Sequence, residues 1–454
     1  MATAEQLPTA DLQELARRHL WMHFTRMGSF DDHEVPIIVR GEGCHVYDQH
    51  GKRYLDGLAA LYCVNIGHGR TAVAQAGADQ ARELGFFTNW ASAHPKSIEL
   101  AARVANLAPG DLNRVFFTSG GSEAVDSALK LCRQYHKLIG NPGRYKVISR
   151  KLSYHGTTMG ALTATGIPMA RQPFEPLFPG SAHVPNTNPY RPEVDDPAEA
   201  IREKIEFEGP ETVSCVILEP VQNSGGCLGP PEGYFQRVRE ICDEYGILFI
   251  SDEVICAWGR LGEYFGAERF GYEPDIITTA KGLTSSYAAM GAVIASDKVF
   301  EPFAHGPASF AHGITFGGHP MSSAIALANL DVFEDEKLCD RVREHEGAFE
   351  AMLESLRDIP IVGDVRGMGY FWALELVRDR ETKAHFTDDE CEWLLRGFLS
   401  PEMFARGLIC RADDRGDPVI QLSPPLIAGP EEFAEIEQVL RAVLQESSQR
   451  LGLH

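Results

Sequence analysis

Closely spaced cysteines, long apolar runs and positive charge are all scarce in this sequence. Of the ten cysteines no two are closer than Cys215 and Cys227, so neither a zinc ribbon nor a redox C-x-x-C pair can be drawn. Scattered thiols of this kind point to a reducing, cytoplasmic setting. No stretch approaches the roughly 18 consecutive apolar residues of a membrane span. The opening two dozen residues carry Glu5, Asp11 and Glu14 among their hydrophobes and read as an amphipathic helix, not as a signal peptide. Lys and Arg total 42 against 64 Asp and Glu, a formal charge of −22. A field of that sign repels phosphate backbones and anionic lipid, which argues against nucleic-acid and membrane partners.

What is present is an ordinary globular balance, 44% apolar and 23% charged over 454 residues, enough for two or three domains around a sizeable core. The run IIVRGEGCHVYDQHGKRYLDG breaks short apolar stretches with glycines and turn residues, the pattern of a small antiparallel meander. From about residue 97 to 320, helical-period stretches alternate with short β-rich runs, which predicts an α/β layer fold with a mainly parallel sheet. Beyond Pro320, helices surround two apolar runs, YFWALELV and PVIQLSPPLI, and the chain closes on the amphipathic FAEIEQVLRAVLQ. The expected organisation is an N-terminal segment (1–65), a large domain (66–320) and a smaller α+β domain (321–454).

Three buried runs in the large domain end in chemically useful side chains. TVSCVIL is followed by Glu219, ILFIS by Asp252, and DIITT leads to Lys281; the three lie 33 and then 29 residues apart, about one βα unit each. If the strands are parallel, two carboxylates and an amine converge at the carboxyl edge of the sheet, where α/β proteins bind ligands. Taken singly, each residue has a plainer reading as a cap, a loop carboxylate or a solvated lysine. Upstream, VFFTSGGSEAVDSALKL joins a strand to a helix. Gly120, Gly121 and Ser122 therefore fall at a helix N-terminus, an anion site suited to phosphate, although Ser122 could equally be a simple N-cap.

Other motifs fail on spelling. The serine elbow G-x-S-x-G is broken by Ala124, and the dinucleotide fingerprint by Trp372; no G-x-x-x-x-G-K or H-E-x-x-H occurs. His312 and His319 flank GITFGG but make a poor metal pair. A phosphate cradle, an acid and a lysine remain, and these are the parts pyridoxal phosphate requires: an anion site, a carboxylate opposite the ring nitrogen, and an amine to hold the aldehyde.

Ordered blocks across nearly the whole chain, FTSGGSEAVDSALKL, SYHGTT, ILEPVQNSGGCLGPPEGYF, FISDEVICAWGRLGEYFG, DIITTAKGL, HGITFGGHP and LICRADDRGDPVIQLSPPL, resemble the class III pyridoxal-phosphate-dependent aminotransferases, in particular the amine:pyruvate, or ω-transaminase, branch. The resemblance implies fold type I, with a small domain built from both chain ends, and a homodimer or dimer of dimers with active sites at the subunit interface. It implies that Lys281 binds the cofactor and moves the substrate proton, which calls for an amine well below the usual ~10.4. It also implies that Asp252 faces the ring nitrogen, that Gly121 and Ser122 hold the phosphate with Thr315 from the neighbouring subunit, that Tyr154 and Val254 cover the two ring faces, and that Glu219 lies near the ring hydroxyl. Arg411 matches the family's carboxylate-switching arginine, with Arg415 as a rival. Tyr62 stands where the branch often has Trp, in a substrate pocket expected to include Phe86, Phe87 and Trp90. The implied reaction moves an amino group from a primary amine or ω-amino acid to pyruvate or another small keto acid; an aminomutase of the same fold is the alternative.

Overall fold

The computed structural model describes residues 9–453. The opening helix runs from Thr9 to His19, and residues 1–8 of the expected helix lie outside the described residues. Strands β1 (Ile38–Glu42), β2 (His45–Asp48) and β3 (Arg53–Asp56) form the antiparallel meander. Its two turns rest on Gly43 and Gly51, at φ 57° and 80°, where a side chain would strain the backbone.

Seven strands make the central sheet: β4 (Leu112–Thr118), β5 (Lys146–Arg150), β6 (Ser181–Val184), β7 (Val213–Leu218), β8 (Leu248–Asp252), β9 (Ile276–Thr279) and β10 (Gly291–Ser296). Their order is β4-β10-β9-β8-β7-β5-β6. β10 runs antiparallel to both of its neighbours, and every other pair is parallel. Every residue of β7, β8 and β9 is buried, because helices cover both faces; such strands read as continuous apolar runs without alternation. On one face Ala124, Ala128 and Leu131 of the helix Gly121–Leu138 pack on Cys215, Ile217 and Ile250. On the other, Phe235, Val238 and Ile241 of the helix Tyr234–Tyr245 meet Val216, Leu218 and Phe249. Alternate residues of β7 thus point to opposite layers, as strand geometry requires.

After Pro320 come two long helices, Pro320–Asp335 and Leu338–Ser355, and then β11 (Val362–Met368), β12 (Phe371–Leu376), β13 (Leu408–Ile409), β14 (Arg411–Asp413) and β15 (Val419–Leu422). β11, β12, β15 and β14 form an antiparallel sheet in that order. β13 instead pairs in parallel with β3, so Leu408 lies beside Leu55 and the two ends of the chain share one sheet. The last helix, Pro430–Arg450, buries Phe433, Ile436, Leu440 and Val443 beneath this region. Among the described residues no helix is long and apolar enough to cross a membrane.

One buried cation ties these parts together. Arg260, fully enclosed, donates to the carbonyls of Pro424 (2.6 Å) and Tyr370 (3.1 Å) and to Asn65 Oδ1 (2.7 Å), and Asn65 in turn donates to the Trp258 carbonyl at 2.7 Å. Burial pushes its guanidinium down to about 10, so the charge is held by hydrogen bonds to polar groups of three separate chain segments. Replacing Arg260 with Leu strands two buried carbonyls and an amide oxygen, and should lower the unfolding free energy by about 3 kcal/mol or more. The urea midpoint and slope of the two proteins measure this.

Candidate active site

Parallel pairing of β7, β8 and β9 brings Glu219, Asp252 and Lys281 to one edge of the sheet, as their spacing predicts. They line a cavity of about 180 Å³ together with Gly121, Ser122, Tyr154, His155, Gly156, Val254, Cys256 and Leu61. The backbone here is unusual. Lys281 (φ 38°), Ser285 (45°), Ser286 (59°), Trp258 (60°), Ala59 (47°), Ala60 (57°) and Tyr62 (62°) all occupy the left-handed region that non-glycine residues avoid. Strain of this kind persists only where packing over-determines it, and it gathers at functional sites.

Lys281 is half-buried, with its ammonium 5.3 Å from the centre of the Tyr62 ring. Burial drives its pKa down to about 8, and nearby Arg411 pushes the same way; Cys63 and Asp252 oppose the shift without cancelling it. Burial likewise lifts Glu219 to about 7, against the pull of His155 and Arg150. Glu219 Oε2 is buried with no hydrogen-bond partner among the described residues. The Asp252 carboxylate accepts from His155 Nδ1 at 2.6 Å, from Thr278 Oγ1 at 3.1 Å and from the Val254 amide at 3.3 Å. Since a carboxylate can only accept, His155 carries its proton on Nδ1, and its buried Nε2 is left without a partner. His155 escaped notice in the sequence because it lies 97 positions from Asp252. The available signal was its place beside Tyr154 in SYHGTT.

Opposite these groups, the helix Gly121–Leu138 points its N-terminus at the cavity. Gly120 is the N-cap, and the Ser119 amide is held by Glu123 Oε2 at 2.8 Å, so Ser122 is not needed as a cap. Its hydroxyl accepts from the Thr157 amide (3.1 Å), which leaves its own proton to donate. A Cβ on Gly121 would come within 2.9 Å of Val254, and one on Gly156 would collide with Ser122, so both glycines permit a close backbone approach.

Arg411 and Arg415 flank the same region. Arg411 Nη1 reaches the Tyr62 hydroxyl at 3.5 Å, while Arg415 lies 5.7 Å from the centre of the Tyr154 ring, which lines the cavity. Tyr62 is itself buried, donating to Gln421 Oε1 at 2.6 Å.

Trp90 and Thr315 are not brought to the Lys281 cavity of their own chain. Trp90 is exposed and packs on Gly313 beside a separate opening, and Phe86 meets Phe316 edge to ring at 5.8 Å. Of the residues expected in the substrate pocket, Trp90, Phe86 and Phe87 do not line the Lys281 cavity of their own chain: segment 86–90 follows the helix that ends at Glu83 and docks on the turn that carries Thr315. Among the described residues no cluster of three or more His, Cys, Asp or Glu side chains could hold a metal ion.

A mainly parallel sheet with an acid, a lysine and a helix N-terminus converging at its carboxyl edge defines a fold type I transferase of the pyridoxal-phosphate class. Comparison narrows the class. The profile of the family described as Aminotransferase class-III matches residues 29–444, and the chain belongs to that family. It is 56% identical over 451 residues to a probable aminotransferase of Mycobacterium tuberculosis, covering 98% of this chain and 96% of the relative. It is 38% identical over 450 residues to the putrescine–pyruvate aminotransferase of Pseudomonas aeruginosa, with 97% of each chain covered. Among solved structures, an (S)-enantioselective ω-transaminase from Thermomicrobium roseum matches with a TM-score of 0.93 at 38% identity, covering 98% of this chain and all of that one. The ω-transaminase of Pseudomonas jessenii in complex with PMP matches with a TM-score of 0.92 at 33% identity, over 97% and 99% of the two chains.

The lowered lysine has a kinetic consequence. In cofactor-free protein, modification of Lys281 by pyridoxal phosphate should accelerate about tenfold per pH unit up to about 8 and level off above it, because only the neutral amine attacks an aldehyde. Stopped-flow absorbance across pH 6 to 10 measures the profile. A rate still climbing at pH 10 would mark an ordinary, solvated lysine.

Proposed function

We propose that this protein is an ω-transaminase that carries pyridoxal phosphate on Lys281 and moves an amino group from a primary amine or ω-amino acid to pyruvate or another small keto acid. The observation that carries the reading is the convergence of Lys281, Asp252 and Glu219 on one buried cavity facing a helix N-terminus. The cavity suits the cofactor: it holds unpartnered buried atoms on Glu219 and His155, and a glycine-lined anion cradle at Gly121 and Gly156.

Bound there, pyridoxal phosphate supplies an electron sink for charge developing at the substrate carbon. The chain's own residues do the rest. Gly121 and Ser122 hold the phosphate, where free amides and the helix dipole favour an anion. Asp252, fixed by His155 and Thr278, would pair with the ring nitrogen. Glu219 would face the ring hydroxyl, and Tyr154 and Val254, which line the cavity, would cover the ring. Lys281 would take and return the proton at the substrate carbon, a task suited to an amine near 8. Arg411 binds the keto-acid carboxylate and swings aside for an apolar amine, and Tyr62 backs the pocket.

The exposed positions of Thr315 and Trp90 support their delivery to the site of a second copy, making the unit a homodimer with shared active sites. In this reading residues 66–320 form the cofactor-binding body, and 1–65 with 321–454 the smaller domain. All ten cysteines are free, which supports a reducing, cytoplasmic location.

Purified enzyme given 1-phenylethylamine or 6-aminohexanoate should form alanine only when pyruvate is added, at rates of order 0.1 to 10 per second. Chromatographic assay of alanine measures this. Isomerised amine appearing without any keto acid would replace this reading with the aminomutase.

A further inference from the structure

The segment 411–417 carries two arginines and three aspartates, and their charges do not pair off evenly. Asp414 turns to Arg396 at 2.8 Å, and Asp417 turns to Arg191 at 3.2 Å and His385 at 2.6 Å. Asp413 alone is left for both cavity-side arginines: Arg411 Nη2 lies 3.1 Å from its Oδ2, and Arg415 Nε lies 3.7 Å from its Oδ1. Both arginine side chains are only 19% exposed.

Most of the guanidinium donors are unused. Among the described residues the one hydrogen bond Arg411 donates is the 3.5 Å contact with Tyr62, beside its ion pair with Asp413, and the Arg415 guanidinium donates none. Arg415 is instead held between two rings, 5.3 Å from the centre of Phe24 and 5.7 Å from that of Tyr154. Burial lowers its pKa, and Arg411 lowers it further. Arg411 behaves differently: burial works against its charge, but Tyr62 and Asp413 together outweigh it and raise its pKa. A surplus positive charge with unused planar donors, in a wall withdrawn from water, is matched by a carboxylate and repels an ammonium.

We propose that Arg415 is a second carboxylate-binding residue, which holds the distal carboxylate of an ω-amino acid donor and makes such acids better donors than diamines of the same length. The proposal rests on the transaminase reading. Arg411 then serves the keto acid and Arg415 the donor, so the two arginines divide the two half-reactions between them. The Phe24 and Tyr154 rings hold the Arg415 fork in place without consuming its N–H groups, which lowers the entropy lost when a carboxylate docks.

The holoenzyme, saturated with pyruvate, is assayed for kcat/KM with 4-aminobutyrate, 5-aminopentanoate, 6-aminohexanoate, pentylamine and 1,5-diaminopentane. At least one of the acids should exceed the diamine by tenfold or more. Arg415→Gln should reduce kcat/KM for that acid by about 10- to 100-fold, mainly through KM, and by at least tenfold more than for pentylamine. Arg415→Lys, which keeps the charge, should preserve the bias against the diamine while losing part of the affinity for the acid. Pentanoate, which has no amine to react, should inhibit wild type competitively and the Gln variant several-fold more weakly. Equal use of diamine and acids by wild type, a uniform loss across all donors in Arg415→Gln, or a pentanoate inhibition constant unmoved by both variants would each overturn the assignment. If no donor yields alanine from pyruvate, the transaminase reading fails by itself. Pentanoate binding, followed through the absorbance of the bound cofactor in wild type and Arg415→Gln, still decides whether Arg415 holds a carboxylate.

Discussion

The site depends on three parallel strands being buried on both faces. Because β7, β8 and β9 pair in register, Glu219, Asp252 and Lys281 leave the sheet at the same edge, although they are spread over more than sixty residues of chain. Helix layers cover both faces of these strands. Burial at the edge where the side chains emerge lowers Lys281 to about 8 and raises Glu219 to about 7.

Fixed groups and adaptable ones are separated in space. Asp252 is held by three donors from the sheet and from the SYHG turn, and the anion cradle is backbone at a helix end, so neither can drift. The arginines come from the other side, on β14 and the loop after it, within the sheet that Arg260 links to the body of the protein. The partners of Arg411 are a phenol and an aspartate it shares with Arg415, contacts it can give up at little cost. Such a division suits the proposed reaction, in which one pocket takes different molecules in alternate half-reactions.

The strands behind the site were legible in the sequence because a strand covered on both sides leaves an unbroken apolar run, and VSCVIL, LFIS and IITT are such runs. The glycines at 120 and 121 could be placed because the following residues carry a clear helical period. Contacts between distant segments left no such mark. His155 meets Asp252, and Arg260 bridges Asn65, Tyr370 and Pro424, through folding alone. The reversed β10 and the pairing of β13 with β3 are set by tertiary register, which local patterning does not encode. Trp90 was grouped with the pocket by its family segment, and within its own chain its ring rests on Gly313 and does not line the Lys281 cavity.

The central claim is that Lys281, at the end of β9 and opposite Asp252, is the residue that carries the cofactor. Reduction of the purified holoenzyme with borohydride, followed by proteolysis and mass spectrometry, tests it most directly. The account predicts one pyridoxyl group per chain, on the TTAKGL peptide at Lys281. A pyridoxyl group on any other lysine, with Lys281 unmodified, would contradict it.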